Sequence, residues 1–156
     1  MVEEFQHGMG ICESAIHPMG IDCLMYVVEQ GAQLHSDVLL AAVEKGSVEK
    51  VLYLLSKGCP ADARAPREAT KKNFFYLLRT LHDHGCPWDG TVFEEAGPRD
   101  YLECVRYAHE HGCPWPNPDS MCFIMFRCRE YMITHGCPGA DLTLTEGTWH
   151  FTPSCP

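Results

Sequence analysis

Leu81-His-Asp-His-Gly-Cys-Pro-Trp-Asp89 closes a segment of helical spacing with glycine, cysteine and proline in immediate succession. Glycine takes the left-handed backbone that ends a helix at no Cβ cost, and proline cannot continue one. Gly85-Cys-Pro87 therefore reads as a helix stop. The same tripeptide begins at Gly58, Gly112 and Gly136, a period of 27 that shortens to 24 at the last step. One further step of 27 back from Gly58 reaches Gly31, which lacks the Cys and Pro but follows a similar segment, Ile21 to Gln30.

Working outward from each glycine, the residues ten, seven, four and three before it form one helix face. They are Ile21, Leu24, Val27, Val28; Val48, Val51, Leu54, Leu55; Phe75, Leu78, Leu81, His82; Leu102, Val105, Ala108, His109; and Phe126, Arg129, Met132, Ile133. Seventeen of these twenty are apolar, which predicts an amphipathic helix in every unit. Sixteen before the glycine stands a small residue, Ala15, Ala42, Ala69, Ala96 or Ser120, as a second, closely packed helix requires. The segment Ser36 to Lys45 shows that helix best, with Ser36 or Asp37 as its N-cap. Tyr26, Tyr53, Tyr107 and Tyr131 fall five before their glycines, and Cys23, Cys104 and Cys128 eight before. If the glycine is the first residue beyond the cap, the cysteine after it folds back on Leu54, Leu81, Ala108 or Met132, all apolar.

A pair of helices this short cannot hide its apolar face alone, whereas stacked pairs share one core. The expected fold is all-α: a solenoid of about five stacked helix-turn-helix units over residues 1–140, ending near 31, 58, 85, 112 and 136. Residues 141–156 turn to Gly, Thr and Pro without helical period and are read as a non-helical tail. Unit five loses three residues in a stretch holding Pro114, Pro116 and Pro118, so its first helix is expected to be shortened or displaced.

These residues resemble a known family. Asp100-Tyr-Leu-Glu-Cys-Val-Arg-Tyr-Ala-His-Glu-His-Gly-Cys-Pro-Trp115 and Leu81 to Asp89 are similar to the Gly-Cys-Pro-Trp-Asp variant of ankyrin repeats found in large DNA viruses and single-celled eukaryotes. Ala41-Ala-Val-Glu-Lys-Gly-Ser-Val-Glu-Lys-Val-Leu-Tyr-Leu-Leu-Ser-Lys-Gly58 is close to the ordinary ankyrin pattern. The period of 27 departs from the family's 33, and the Thr-Pro-Leu-His signature is missing. The resemblance implies a protein-binding module or adaptor whose partner is another protein, without catalytic activity and without a cofactor.

Composition agrees with a folded domain and narrows its partners. With 156 residues, 46% of them hydrophobic, the chain can bury a core. A net charge of −9, with only twelve Lys and Arg, argues against nucleic acid and anionic membrane as partners. No stretch approaches the roughly 18 apolar residues of a membrane span, and Met1-Val-Glu-Glu-Phe5 lacks the basic start of a signal peptide. The chain is expected to be cytoplasmic, in a reducing compartment, and monomeric, with self-association if it is a piece of a longer array whose ends lack polar capping units.

Ten cysteines and nine histidines raise the alternative of a zinc-binding structural or catalytic protein built on the turns: His82, His84 and Cys86; His109, His111 and Cys113; His135 and Cys137. The spacing opposes it, because no Cys-x-x-Cys pair exists and helix positions two apart point in different directions. Disulfides between equivalent cysteines are opposed by the roughly 8–10 Å between packed helices, against a bridging limit of about 7 Å. Cys12, Cys122 and Cys155 lie outside the ladders, and no phosphate loop or dinucleotide fingerprint is present. We therefore expect no catalytic, cofactor-binding or metal residues. The candidate partner-contact residues are Trp88, Asp89 and Trp115: each tryptophan either packs between units or anchors a partner, and Asp89 either caps the next helix or lies on the binding surface.

Overall fold

Each stop glycine occupies the left-handed region, with φ of 89° at Gly31, 74° at Gly58, 75° at Gly85, 76° at Gly112 and 75° at Gly136. The protein is seen in a computed structural model that describes residues 21–118 and 124–140. In every Gly-Cys-Pro turn the glycine N–H donates to the carbonyl three residues back and the cysteine N–H to the carbonyl five back. Gly58 bonds Leu55 and Cys59 bonds Leu54; Gly85 bonds His82 and Cys86 bonds Leu81; the pairs at Gly112 and Gly136 repeat the arrangement. This is the Schellman pairing, which satisfies two carbonyls that a helix end otherwise leaves orphaned. Gly31 closes its helix the same way, with Ala32 in the cysteine's place.

Eight α-helices result among the described residues: α1 (Ile21–Glu29), α2 (Ser36–Glu44), α3 (Val48–Ser56), α4 (Arg64–Lys71), α5 (Phe75–Asp83), α6 (Thr91–Ala96), α7 (Leu102–Glu110) and α8 (Phe126–Thr134), with a 3₁₀ turn at Gly97–Arg99. No strand occurs among them. Ala15, Ser120 and residues 141–156 lie outside those described, as do the first helices expected in the first and last sequence units.

A second helix stop stands twelve positions before the first. Gly46, Asn73 and Asp100 have φ of 70°, 58° and 57°, and each, with the residue after it, makes the same pair of backbone bonds. Glycine, asparagine and aspartate are the residue types that tolerate left-handed backbone. In the three units that hold Gly46, Asn73 and Asp100, two stops divide the unit into two short helices.

The helices pack in order. Within a unit α2 contacts α3, α4 contacts α5, and α6 contacts α7. Between units α2, α4 and α6 meet in sequence, and so do α1, α3, α5, α7 and α8. Where the first helices approach, Ala42, Ala69 and Ala96 are fully buried, because only a methyl group fits between neighbouring backbones. The second helices bury Leu24, Val51, Leu78 and Val105, seven before the glycine, together with Leu54, Leu81, Ala108 and Met132, four before it. Residues eight before the glycine also enter the core, as Leu77, Cys104 and Cys128 show. The expected stripe is thus rotated slightly: positions ten and three before the glycine lie at its rim, where Val48 and Phe126 are exposed.

One cap differs from expectation. Helix α2 begins at Ser36, and the residue before it, His35, is the N-cap, extended and without a side-chain bond to the helix. Ser36 and Asp37 face the next unit instead, where Arg64 donates to the Ser36 hydroxyl at 3.0 Å and pairs with Asp37 at 2.8 Å. Arg64 also forks onto Asp62, whose carboxyl it holds below the usual carboxylate range. These groups are solvent-exposed, so the network fixes register more than it adds stability.

Candidate functional site

The four cysteines of the turns are nearly identical in environment: Cys59, Cys86, Cys113 and Cys137 are 6%, 5%, 5% and 6% exposed. Two of them tie one unit to the one before, the Cys59 thiol donating to the His35 carbonyl at 3.4 Å and the Cys113 thiol to the Asp89 carbonyl at 3.2 Å. Burial pushes the Cys86 and Cys137 thiols up to about 11 and Cys113 up to about 12, with Asp62 adding to the rise at Cys86 and Asp89 at Cys113. In the second ladder burial raises Cys104 to about 11 and Cys128 to about 12. No disulfide joins the seven cysteines among the described residues; Cys12, Cys122 and Cys155 lie outside.

A thiol whose folded value exceeds its unfolded value of 9.0 binds its proton more tightly in the native state. Its contribution to stability is whole below pH 9 and is lost as pH rises through 11 to 12. Denaturation midpoints are expected to fall over that window, and iodoacetamide at mildly alkaline pH is expected to label these cysteines in the native protein far more slowly than in the denatured one.

Along the same edge the histidines and aromatic residues form a ladder. His82 stacks under Trp88 (centroids 4.2 Å apart, planes at 20°), and its Nδ1 meets the Tyr107 hydroxyl of the next unit at 3.0 Å. One unit later His109 stacks on Trp115 (4.8 Å, 21°), and its Nδ1 meets the Tyr131 hydroxyl at 3.0 Å. Tyr107 is further packed by Phe75 and by His111, and Tyr131 by His135. His84, His111 and His135 each donate through Nδ1 to the carbonyl four residues back, of Thr80, Tyr107 and Tyr131. Burial raises the hydroxyl pKa values of Tyr107 and Tyr131, helped by Asp83 and Glu110 respectively.

The tryptophans are therefore half-buried parts of the junctions between units, each covering a histidine on one side. The Asp89 carboxylate is exposed and accepts from the Thr91 N–H at 3.0 Å and from the Thr91 hydroxyl, which puts it at the start of α6. The histidines of the turns are engaged one by one in these contacts. No three of the His, Cys, Asp or Glu side chains among the described residues converge on a point that could hold a metal ion.

The first unit breaks the ladder. Val28 stands where His82 and His109 stand in later units, and the Tyr53 hydroxyl is buried without a hydrogen-bond partner. Lys57 lies over the Tyr53 ring at 5.4 Å, in the register that His111 and His135 occupy. An orphaned buried hydroxyl costs about 1–3 kcal/mol, whereas a typical hydrogen bond contributes about 0.5–1.5 kcal/mol. Tyr53→Phe is expected to be neutral or stabilising and Tyr107→Phe destabilising by about 1 kcal/mol, the two compared by urea denaturation.

On the opposite edge, next to the Gly46 and Asn73 turns, a shallow groove of about 420 Å³ is lined by Gly46, Val48, Asn73, Phe74, Phe75, Tyr76, Leu77 and Glu103. These residues come from three consecutive units. Tyr76 is 76% exposed at its rim, and the Phe74 ring lies so close to Gly46 that a Cβ there would meet it at 3.0 Å. None of the residues singled out from the sequence as partner contacts lies here, although three consecutive aromatic residues, Phe74-Phe75-Tyr76, mark the place.

No family model, curated protein or solved structure matches this chain. No helix among the described residues is long and apolar enough to cross a membrane.

Proposed function

We propose that the chain is a protein-interaction module or adaptor, an ankyrin-like solenoid of about five helix-turn-helix units over residues 1–140, without catalytic activity of its own. The motif resemblance, the buried alanines and the ordered pairing of helices support this reading of the architecture. The observation that carries the function is the apolar groove across three units, lined by Val48, Phe74 and Phe75 together with the highly exposed Tyr76. A groove of this kind suits a protein segment that inserts an apolar or aromatic anchor, since such anchors carry most interface energy. Thiols held in their protonated form supply no activated nucleophile, and they suit the reducing cytoplasm.

The test is comparative crosslinking. A photo-reactive residue at position 76 is expected to capture a defined protein from cell extract, and Val48→Asp with Tyr76→Asp is expected to weaken binding of that protein by more than about tenfold. His84→Ala, on the opposite edge, is expected to leave it unchanged. Equal binding by all variants would remove the groove as the binding surface.

A further inference from the structure

The groove beside Tyr76 carries a charge pattern that narrows what it can hold. Glu49, Tyr76 and Glu103 occupy one register, nine before their glycines, on α3, α5 and α7. All three are exposed, and those helices lie next to one another in that order. Glu103 lines the groove itself, and Glu49 directly follows Val48, which lines it from α3. The aromatic centre therefore has a carboxylate in its own register on the helix before and another on the helix after.

The nearby cations leave these two carboxylates unmatched. Lys72 pairs with Glu68 at 3.7 Å and Arg79 with Asp83 at 3.6 Å. Lys45, before Gly46, follows Glu44 directly, and the two charges offset. Arg106, on α7, acts on the Tyr131 hydroxyl of α8. Neither Glu49 nor Glu103 enters an ion pair among the described residues. The net charge of −9 adds to their pull on an approaching cation.

We propose, on the reading that this groove is the binding surface, that its occupant is a basic peptide segment: an apolar or aromatic side chain seated against Phe74, Phe75 and Tyr76, with one Lys or Arg toward Glu49 and another toward Glu103. Packed helices stand about 8–10 Å apart. An extended chain advances about 3.3 Å per residue, which puts each basic residue about three positions from the anchor. The apolar groove supplies contact area, and the carboxylates set the register and reject acidic segments.

The experiment selects from a random-peptide phage library on the full chain, with Tyr76→Asp, checked for native helicity by circular dichroism, as the counter-target. Peptides retained by wild type and not by the variant are expected to share an apolar or aromatic residue with Lys or Arg about three positions to either side. A synthetic peptide of that sequence, followed by fluorescence polarisation, is expected to bind Glu103→Lys about tenfold more weakly than wild type and to weaken as salt rises. Glu110→Lys, at an exposed position near the other end of the same helix, is expected to leave its affinity unchanged. Selected peptides with an apolar anchor but neutral or acidic flanks overturn the charge proposal and leave the groove as the binding surface. Equal weakening by Glu103→Lys and Glu110→Lys reduces the effect to net charge and overturns it too. A library in which nothing distinguishes wild type from Tyr76→Asp overturns both this proposal and the groove.

Discussion

Leu78→Ala is expected to be among the most damaging single substitutions in the protein, lowering unfolding free energy by about 2–5 kcal/mol. Leu78 is fully buried seven positions before Gly85, on a helix that touches α3, α4 and α7. Truncating it removes transfer free energy and leaves a cavity that the surrounding helices, each fixed by its stop, fill only in part. A domain of ordinary stability holds about 5–15 kcal/mol, so the loss is a large share. Leu52, on α3, is the control: it is 40% exposed, and Leu52→Ala is expected to change stability by no more than about 0.5 kcal/mol. Urea denaturation of the two variants measures the contrast, which should appear as a shift in midpoint at constant slope.

Ala69→Leu makes the complementary test. Ala69 is fully buried on α4, between α2 and α6, with Ala42 and Ala96 at the equivalent places on those helices. Three extra carbon atoms have no room there, and overpacking is expected to cost about 1–3 kcal/mol. Ala69→Gly, which removes volume and weakens the helix, is expected to cost only about 0.5–1 kcal/mol. The order of the two is the diagnostic result: an alanine beside open space would accept leucine with a gain in stability, so a stabilised Ala69→Leu would refute close approach of the first helices.

How much of this is legible in the sequence depends on whether the relevant signal is a residue type or a geometry. The stops at Gly58, Gly85, Gly112 and Gly136 are legible because Gly-Cys-Pro allows few backbone conformations. The buried alanines are legible because a small residue recurring in register has a packing reason. The second stop is equally available, since Gly46, Asn73 and Asp100 share both the period and a tolerance of positive φ, but three different side chains hide a periodicity that identical ones reveal. The N-cap of α2 goes to His35 because Ser36 and Asp37 are engaged by Arg64 of the next unit, and no local rule anticipates that.

The candidate site is less legible. Trp88 and Trp115 stand out by type, and their two readings turn on a neighbour that sequence does not display: the histidine six positions earlier, which each indole covers. Position three before the glycine reads as part of an apolar stripe, with His82 and His109 as its exceptions. In three dimensions those exceptions are the centre of the junction, because an imidazole there meets the tyrosine hydroxyl of the next unit and an apolar side chain cannot. The groove at Tyr76 takes Val48 and Phe75 from the repeat stripe, but the pattern does not reveal it because it is assembled from three units and no single one contains it.

The second helices lie side by side in chain order, so that Tyr107 and Tyr131 each meet residues of the helix before. Aromatic nuclear Overhauser spectroscopy on the full protein tests it directly. Tyr107 is predicted to show cross-peaks to Phe75 and His82, and Tyr131 to His109, contacts from one unit to the next that only side-by-side second helices bring together. Tyrosine rings that contact nothing beyond their own unit would contradict it.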